Sequence, residues 1–303
     1  MTATANEFAG VYRGKQYHAP DFESTLDRAL CAGVEKVILT GMSLSDVEHN
    51  ANIARSRLGQ CSITIGVHPY HATEIEQGDE VYFRDLIGHV HRLSQGETGQ
   101  PRLVSAFGEL GLDYDRLQHA PKEAQIHAFK VQLDAFVSEK FDLPLFLHCR
   151  AAFDDFVDIV TPYVPQLPRG GLVHSFVGSS DQMKRLVGLG FHISVNGFSF
   201  AHVESLQMVA DIPLSHLQIE TDSPWGYLGD GNGLVKRYCV NTSPLPASKK
   251  RDKWDAQYMV KERNESCAME RVAFIVAGLK GITVEEVADA AWENSVTMFG
   301  LEP

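Results

Sequence analysis

The sequence predicts an α/β fold, a TIM-type (β/α)8 barrel that lacks its first strand. Two observations lead to this prediction. Seven apolar, β-branched runs alternate with helical stretches, and a residue type that can bind a metal stands at the end of four of these runs. The C-terminal ends of the strands of such a barrel share one face, and active sites are built on that face. We therefore expect dispersed residues to converge on one site.

The seven runs are predicted to be strands of one parallel sheet, because they are continuously apolar rather than alternating. Their bounds are Lys36–Gly41, Ser62–Pro69, Arg102–Gly108, Pro144–Cys149, Gly170–Phe176, Phe191–Gly197 and Leu217–Pro224. A closed barrel needs eight strands, and the stretch where the first would lie is short and polar. A doubly wound sheet is the main alternative. The barrel is favoured because metal-binding residue types end strands throughout the series and not only at one crevice.

Apolar residues at helical spacing predict nine helices, of which seven accompany the strands and two follow the last strand. Their bounds are Asp21–Ala32, Leu44–Arg57, Val81–Leu93, Pro121–Phe141, Ala152–Tyr163, Ser180–Leu189, His202–Ala210, Cys267–Leu279 and Val284–Phe299. Ser179 is a predicted N-cap, and Thr283 with Glu286 forms a predicted capping box. The polar loop 225–265 is expected to lie over the active face. The whole chain, residues 1–303, is predicted to be one domain.

Composition narrows the class of protein. The chain carries a net charge of −12, which argues against a nucleic-acid coat protein but allows an enzyme with a local positive patch. No apolar run approaches the roughly 20 residues of a membrane span, and the N-terminus has no signal-peptide pattern. Five cysteines without a C-x-x-C pair indicate a reducing compartment. We expect a cytoplasmic protein, with the nucleus as the alternative, and neither membrane attachment nor an obligate protein partner.

Four residues at strand ends are the candidate metal ligands. Glu109, His148, His174 and Asp222 are separated by 39, 26 and 48 residues, which leaves room for one or two helices to return the chain to the next strand. A single histidine at a strand end is more often a satisfied core residue, but two in consecutive units favour ligation. Imidazole mixed with carboxylate suits zinc, manganese, iron or nickel, and a carboxylate can bridge two ions.

Other polar residues are expected to assist these four. Asp222 could also accept a proton from metal-bound water. Glu220 lies two residues upstream and faces the same side of a strand, so it is expected to support a ligand rather than to be one. His68 is expected to act in catalysis, by contacting substrate phosphate or metal-bound water. The long loop adds a triplet expected to orient these groups, Arg263, Asn264 and Glu265.

Six short motifs follow one another along the chain. They are Gly66-Val-His-Pro69, Gly108-Glu-Leu-Gly-Leu-Asp-Tyr114, Leu147-His-Cys-Arg150, Val173-His-Ser-Phe176, Glu220-Thr-Asp-Ser-Pro224 and Arg263-Asn-Glu265. Together they resemble the TatD family of metal-dependent deoxyribonucleases, within the amidohydrolase-like barrels, and the segment Val11–His18 resembles its eukaryotic branch. The resemblance runs from about residue 8 to the C-terminus, and six motifs in order make it specific.

The resemblance implies a site with two divalent metal ions, magnesium in the first place and manganese or zinc as alternatives. Glu109 would bridge the ions, His148 and His174 would hold one of them, and Asp222 would bind the other and act as general base. The substrate implied is DNA, at its ends or as single strands, with phosphodiester bonds hydrolysed from the 3′ end by metal-activated water. Further residues would face the substrate, namely Tyr114, Asp115 and Arg150.

The chain departs from the family pattern at two places. The first strand, which normally supplies a pair of ligands, is absent, and Ser266 replaces the proline expected after Arg-Asn-Glu. A strand lost from inside a barrel leaves unpaired backbone on both neighbours, so a wrongly assigned start is favoured over a natural short form. Two alternatives to the nuclease therefore stay open. One is an ester or amide hydrolase of the same barrel class, and the other is a truncated, non-catalytic member of the family.

Overall fold

A curled parallel sheet is the scaffold of the protein. The computed structural model describes residues 1–77, 79–96 and 102–301. A small hairpin, β1 (Val11–Tyr12) and β2 (Lys15–Gln16), precedes the sheet. The sheet strands are β3 (Val37–Leu39), β4 (Cys61–Ile65), β5 (Val104–Asp113), β6 (Leu145–Arg150), β7 (Gly171–Val173), β8 (Phe191–Val195) and β9 (Leu217–Ile219). Each pairs in parallel with the next along the chain. The predicted barrel class without its first strand is confirmed.

Helices cover the outer face of the sheet. They are α1 (Phe22–Cys31), α2 (Val47–Ser56), α3 (Ala72–Gln77), α4 (Asp79–Gln95), α5 (Lys122–Ser138), α6 (Phe153–Val160), α7 (Ser180–Gly188), α8 (Val203–Asp211), α9 (Gly233–Tyr238), α10 (Met269–Lys280) and α11 (Val284–Phe299). All nine predicted helices are present, with shifted ends. Two further helices, α3 and α9, were not predicted, and each has only six residues. In the described part of the chain, no helix combines the length and apolarity needed to cross a bilayer.

Aromatic side chains join the helices to the strands that carry the site. Phe107 of β5 packs against Phe136 of α5, and Phe129 of α5 stacks on Phe156 of α6 with ring centroids 5.4 Å apart. All four side chains are fully buried. Burial of a phenylalanine contributes about 1.5–3 kcal/mol, so these contacts hold the helices against the middle of the sheet. The predicted N-cap at Ser179 is confirmed and forms a full capping box with Gln182, and the predicted capping box of Thr283 and Glu286 is present.

Strand β5 is longer than the sequence indicated. The prediction ended it at Gly108, whereas its pairing with β6 continues to Asp113. The prediction was wrong at this end because the run of large apolar residues is broken by glycines and by Glu109, although backbone pairing persists. Gly108 has φ +147°, and a Cβ there would overlap the carbonyl oxygen of Phe146. A glycine is therefore required where β5 approaches β6 just before Glu109.

The two outer strands, β3 and β9, are bridged at their C-terminal ends by the first two residues. The amino group of Met1 donates to the Ile38 carbonyl (2.9 Å), and the Thr40 amide donates to the Met1 carbonyl (2.8 Å). On the other side, the Thr2 amide donates to the carbonyl of Ser223 (3.2 Å). Below this bridge, β3 and β9 border a cavity of about 490 Å³. This cavity lies at the position of the missing strand.

The long loop after β9 contains α9 and a small parallel pair, β10 (Ser248–Lys249) and β11 (Met259–Val260). At its end, the Asn264 side chain donates to the carbonyls of Thr221 (2.8 Å) and Trp225 (2.6 Å). These bonds fasten the loop to the segment that carries Asp222. The prediction that the loop lies over the active face stays a prediction, and these contacts attach the end of the loop to the segment that follows β9.

Candidate metal centre

Three histidines converge on one carboxylate oxygen. Glu109 Oε1 lies 2.7 Å from His148 Nδ1, 2.6 Å from His174 Nε2 and 3.3 Å from His68 Nε2. Glu109, His68 and His174 are buried, and His148 is nearly so. The four residues come from β5, from β6 and from the ends of β4 and β7. Parallel strands place all these positions at one face, which explains a cluster assembled from distant parts of the sequence.

The charges of this cluster depend on one another. Burial opposes ionisation of Glu109, but His174 and His68 beside it hold its pKa well below the usual value. Burial likewise opposes protonation of His174, yet Glu109 and Glu220 hold its pKa well above the usual value. For His68, burial dominates and lowers the pKa to about 4. The protein itself therefore stabilises a carboxylate at Glu109 and neutral imidazole at His68.

His68 has a defined ring tautomer. Its Nδ1 accepts a hydrogen bond from the Tyr70 amide (3.1 Å), so Nε2 carries the hydrogen of the neutral ring. That N–H faces Glu109 and is suited to donate to an oxygen. A donor atom of His68 also lies within 4.8 Å of those of Glu109 and His148, in a group that could hold a metal ion. The tautomer favours the predicted contact with phosphate or water over ligation by His68.

His148 is fixed from its other side by Asp113, a residue that the sequence analysis did not select. Asp113 Oδ2 lies 3.1 Å from His148 Nε2 and accepts a hydrogen bond from the Tyr70 hydroxyl (3.1 Å). A carboxylate on the second nitrogen of a metal-binding histidine fixes the ring and increases its basicity. The sequence did indicate that Asp113 could reach the site. It lies four residues after Glu109, and residues at even spacing share a face of a strand.

Asp222 and Glu220 approach the same cluster from β9. Glu220 Oε1 lies 3.5 Å from His174 Nδ1 and accepts a hydrogen bond from Asn196 Nδ2 (3.1 Å). This agrees with a supporting role. Asp222 has φ +53°, a left-handed conformation that aspartate tolerates better than most residues. Burial, together with Glu220 and Glu109, raises the pKa of Asp222 to about 7, near the value expected of a general base.

A cavity of about 590 Å³ opens above the cluster. It contains the predicted residues Glu109, His148, His174, Asp222 and His68, and also Asp115 and Arg150. Further lining residues were not predicted from the sequence, among them Tyr70, Arg116, His119, Phe198 and Trp225. Single aromatic or basic residues in loops carry no spacing pattern that would single them out.

Tyr114 and the triplet Arg263, Asn264 and Glu265 are not among the residues that line this cavity. The Tyr114 hydroxyl donates to Asp155 (2.6 Å), and the cavity lining does not include Tyr114. Arg263 is buried and binds both oxygens of Asp21 at 2.7 Å and Glu265 at 2.8 Å. Its neighbour Asn264 holds the carbonyls on either side of Asp222. The triplet therefore braces the Asp222 segment from outside the cavity.

The donor set fits a divalent metal ion. Two imidazoles and the Glu109 carboxylate lie within bonding reach of a common point, and nitrogen with oxygen donors suits manganese, zinc or iron. Four carboxylates at one end of the barrel, those of Glu109, Asp113, Glu220 and Asp222, are buried or nearly so. Burying several negative charges together is costly unless cations compensate them, so the site favours positively charged ligands.

Comparison with known proteins places the chain in a family. The family model described as TatD related DNase matches residues 11–300. A protein named Deoxyribonuclease Tat-D from Schizosaccharomyces pombe is 38% identical over 300 residues, covering 98% of this chain and 93% of that protein. A 3′-5′ ssDNA/RNA exonuclease TatD from Erwinia billingiae is 30% identical, covering 96% and 98%.

A solved structure supports the same assignment. The crystal structure of a hydrolase TatD family protein from Entamoeba histolytica superimposes with a TM-score of 0.87 at 28% identity, covering 99% of this chain and 96% of that one. The match extends over the sheet, the helices and the loop that braces Asp222. The chain therefore belongs to the TatD-related DNase family.

Proposed function

We propose that the protein is a metal-dependent deoxyribonuclease that hydrolyses phosphodiester bonds of DNA from the 3′ end. The observation that carries the proposal is the convergence of His148 and His174 on Glu109 at the floor of a cavity that also contains Asp222. The relatives named as a deoxyribonuclease and as a 3′-5′ ssDNA/RNA exonuclease support the substrate class and the polarity.

Two divalent ions are proposed as cofactors, with magnesium first and manganese or zinc as alternatives. Glu109, His148 and His174 would hold one ion, and Asp222 with Glu109 would hold the other. Bound at these residues, the ions would activate water and neutralise charge on the phosphate. The protein supplies the remaining functions through its own side chains.

Asp222 is the proposed proton acceptor. Its pKa of about 7 lets it take a proton at neutral pH, and a cation beside it would lower this value by favouring the carboxylate. The Nε2–H of His68 points to the same floor of the cavity and would donate to a phosphate oxygen. Catalysis would therefore combine a proton acceptor at Asp222 with a hydrogen-bond donor at His68, both of which line the cavity.

The mouth of the cavity suits a nucleotide. Arg116 and Arg150 line it, and the Arg150 guanidinium lies 5.6 Å from the ring centroid of Phe198. Trp225 also lines the cavity and is 38% exposed. Aromatic faces stack unpaired bases and arginine binds phosphate, so the mouth favours the single-stranded end of a DNA chain. The predicted location in the cytoplasm, with the nucleus as the alternative, remains a prediction.

The test is cleavage of end-labelled single-stranded DNA in magnesium, manganese or zinc. We expect Glu109→Gln to reduce the rate of cleavage by at least about a hundredfold, because it removes the negative charge of the carboxylate that His148 and His174 contact. Glu123→Gln is the matched control, since Glu123 is exposed on α5. A 5′ label should yield a ladder of shortening products if nucleotides leave from the 3′ end.

Two results would contradict the proposal. One is equal cleavage by the wild type and by Glu109→Gln, and the other is no cleavage by either protein with any of the three metals. Hydrolysis of a simple carboxylic ester by a protein that leaves DNA intact would favour the ester or amide hydrolase alternative. Loss of metal binding in Glu109→Gln, measured by calorimetric titration, would separate a failed site from a wrong substrate.

A further inference from the structure

A cluster of basic and aromatic side chains lies outside the metal cavity. It combines the β1–β2 hairpin with the segment around β10, and we call it the basic patch. Its cations are Arg13, Lys15, Lys249, Lys250, Arg251 and Lys253, and its aromatic residues are Tyr12, Tyr17 and Trp254. Residues 11–17 and 248–255 contain only two carboxylates, Asp252 and Asp255, whereas the whole chain has a net charge of −12. This surface therefore carries a local excess of positive charge on an acidic protein.

Two cations of the basic patch, Arg251 and Lys15, are held in place by its aromatic rings. The guanidinium of Arg251 lies 5.0 Å from the ring centroid of Tyr12 and 4.6 Å from that of Tyr17. Lys15 Nζ lies 5.2 Å from the Tyr17 ring, and the two tyrosines pack edge to face at 5.9 Å. Cation–π contacts hold a guanidinium without occupying its N–H donors. Arg251 is thus ordered in advance for an anionic ligand.

The basic patch is joined to the rim of the cavity by a continuous series of contacts. Trp254 stacks on His18 with centroids 5.3 Å apart and donates to Asp21 (3.2 Å). Asp21 is bound by Arg263, whose neighbour Asn264 donates to the carbonyl of Trp225. Since Trp225 lines the cavity, the same buried framework positions both surfaces. A long ligand could use both at once.

We propose that the basic patch binds the phosphodiester backbone of single-stranded nucleic acid and anchors a strand whose end enters the metal cavity. This inference rests on the proposed function for the identity of that strand. An excess of cations on an acidic protein selects a polyanion. The half-buried rings of Tyr12, Tyr17 and Trp254 add surfaces on which unpaired bases can stack, which favours single strands over duplex.

The experiment measures binding rather than cleavage. A fluorescein-labelled oligothymidine is titrated with the intact protein in EDTA, so that metal-dependent cleavage is blocked, and anisotropy gives the dissociation constant at several salt concentrations. The test variant is Lys250→Gln/Arg251→Gln/Lys253→Gln. The matched control, Lys130→Gln/Lys184→Gln/Arg185→Gln, removes the same charge from exposed positions on α5 and α7.

We expect the patch variant to raise the dissociation constant by at least about tenfold and the control to leave it nearly unchanged. Because each phosphate contact on a single strand contributes about 0.7 to the slope of log K against log salt, three lost contacts should reduce that slope by about 2. Thermal unfolding should show both variants folded, with the Tm of the patch variant lowered by no more than about 3 °C, because Lys250 and Lys253 are exposed and Arg251 loses two cation–π contacts.

Three outcomes would overturn the inference. These are equal dissociation constants and slopes in the two variants, no binding by the wild type at low salt, and binding of duplex as tight and as sensitive to the substitutions as that of the single strand. Binding is measured without metal, so a protein that cleaves nothing can still confirm the basic patch. Conversely, DNA cleavage in a protein whose patch variant binds normally would retain the proposed function and reject the patch.

Discussion

Arg263 allows a quantitative test of the network that braces the metal centre. Its side chain is 2% exposed and forms two 2.7 Å bonds to Asp21, which is fully buried. In Arg263→Met, Asp21 would keep only the bond from Trp254, whereas Glu265 would still be paired with Arg28. Removing one partner of a buried ion pair costs about 3–5 kcal/mol. For a chain of this length, that corresponds to a fall in Tm of roughly 6 °C.

Urea unfolding measures the loss, and Arg57→Met is the control. Arg57 forms bonds of 2.6 and 2.7 Å to Glu23 and Asp27, but these partners are 57% and 63% exposed. With similar distances and different burial, the control should lose no more than about 1 kcal/mol. The double variant Asp21→Asn/Arg263→Met should recover at least about 1 kcal/mol, because no unpaired charge remains. Equal losses at the two arginines would refute the reasoning.

Three further changes test the site, the strand approach and the pH response. Glu220→Gln removes the carboxylate beside His174 Nδ1, so calorimetry should show manganese affinity reduced by about 10–100-fold; unchanged affinity would exclude this support. Gly108→Ala places a Cβ against the Phe146 carbonyl and should cost at least about 3 kcal/mol in urea unfolding, whereas a loss as small as that at a surface site would contradict it. Burial lowers the pKa of His192 to about 4 from 6.5. The unfolded chain therefore binds a proton that the folded chain excludes, and stability present above about pH 6.5 falls as the pH drops. With its partly exposed ring, the wild type should lose about 1 kcal/mol between about pH 7 and about pH 5 on this account. His192→Asn should remove that part of the loss, and an identical loss in the variant would exclude His192 as its source.

The order of the strands could be predicted because a strand buried on both faces of a parallel sheet is recognisable in the sequence. Strands covered on both faces need continuous apolar runs, and helices need apolar residues at a different spacing. The end of β5 could not be predicted by that rule. Beyond Gly108 its inward positions hold Glu109 and Asp113, so pairing continues where hydrophobicity does not. Polar residues inside a strand indicate a functional site, and they also interrupt the apolar run by which the strand would be recognised in the sequence.

The end of β5 determines which of the next residues face the cavity. Asp113, the last residue of β5, binds His148, and a 3-10 turn over Tyr114–Arg116 follows it. In this turn Tyr114 binds Asp155, whereas Asp115 and Arg116 line the cavity. The expectation that Tyr114 lines the entrance depended on the family resemblance, which does not include the direction that this turn gives to each side chain. Motif membership alone does not separate a residue that faces the ligand from its neighbour.

The balance of charge at the candidate metal centre links the ionisation of Glu109 and Asp222 to cation binding. Glu109 is held as a carboxylate by the histidines around it, while Asp222 has a pKa of about 7 because burial and two neighbouring carboxylates oppose its ionisation. The raised pKa values of His174 and His148 favour imidazolium groups that compensate Glu109 on their side of the centre, whereas the Asp222 side lacks this compensation. A cation bound beside Asp222 would relieve the repulsion and ionise it. Metal binding and proton release are therefore coupled through the Asp222 carboxylate.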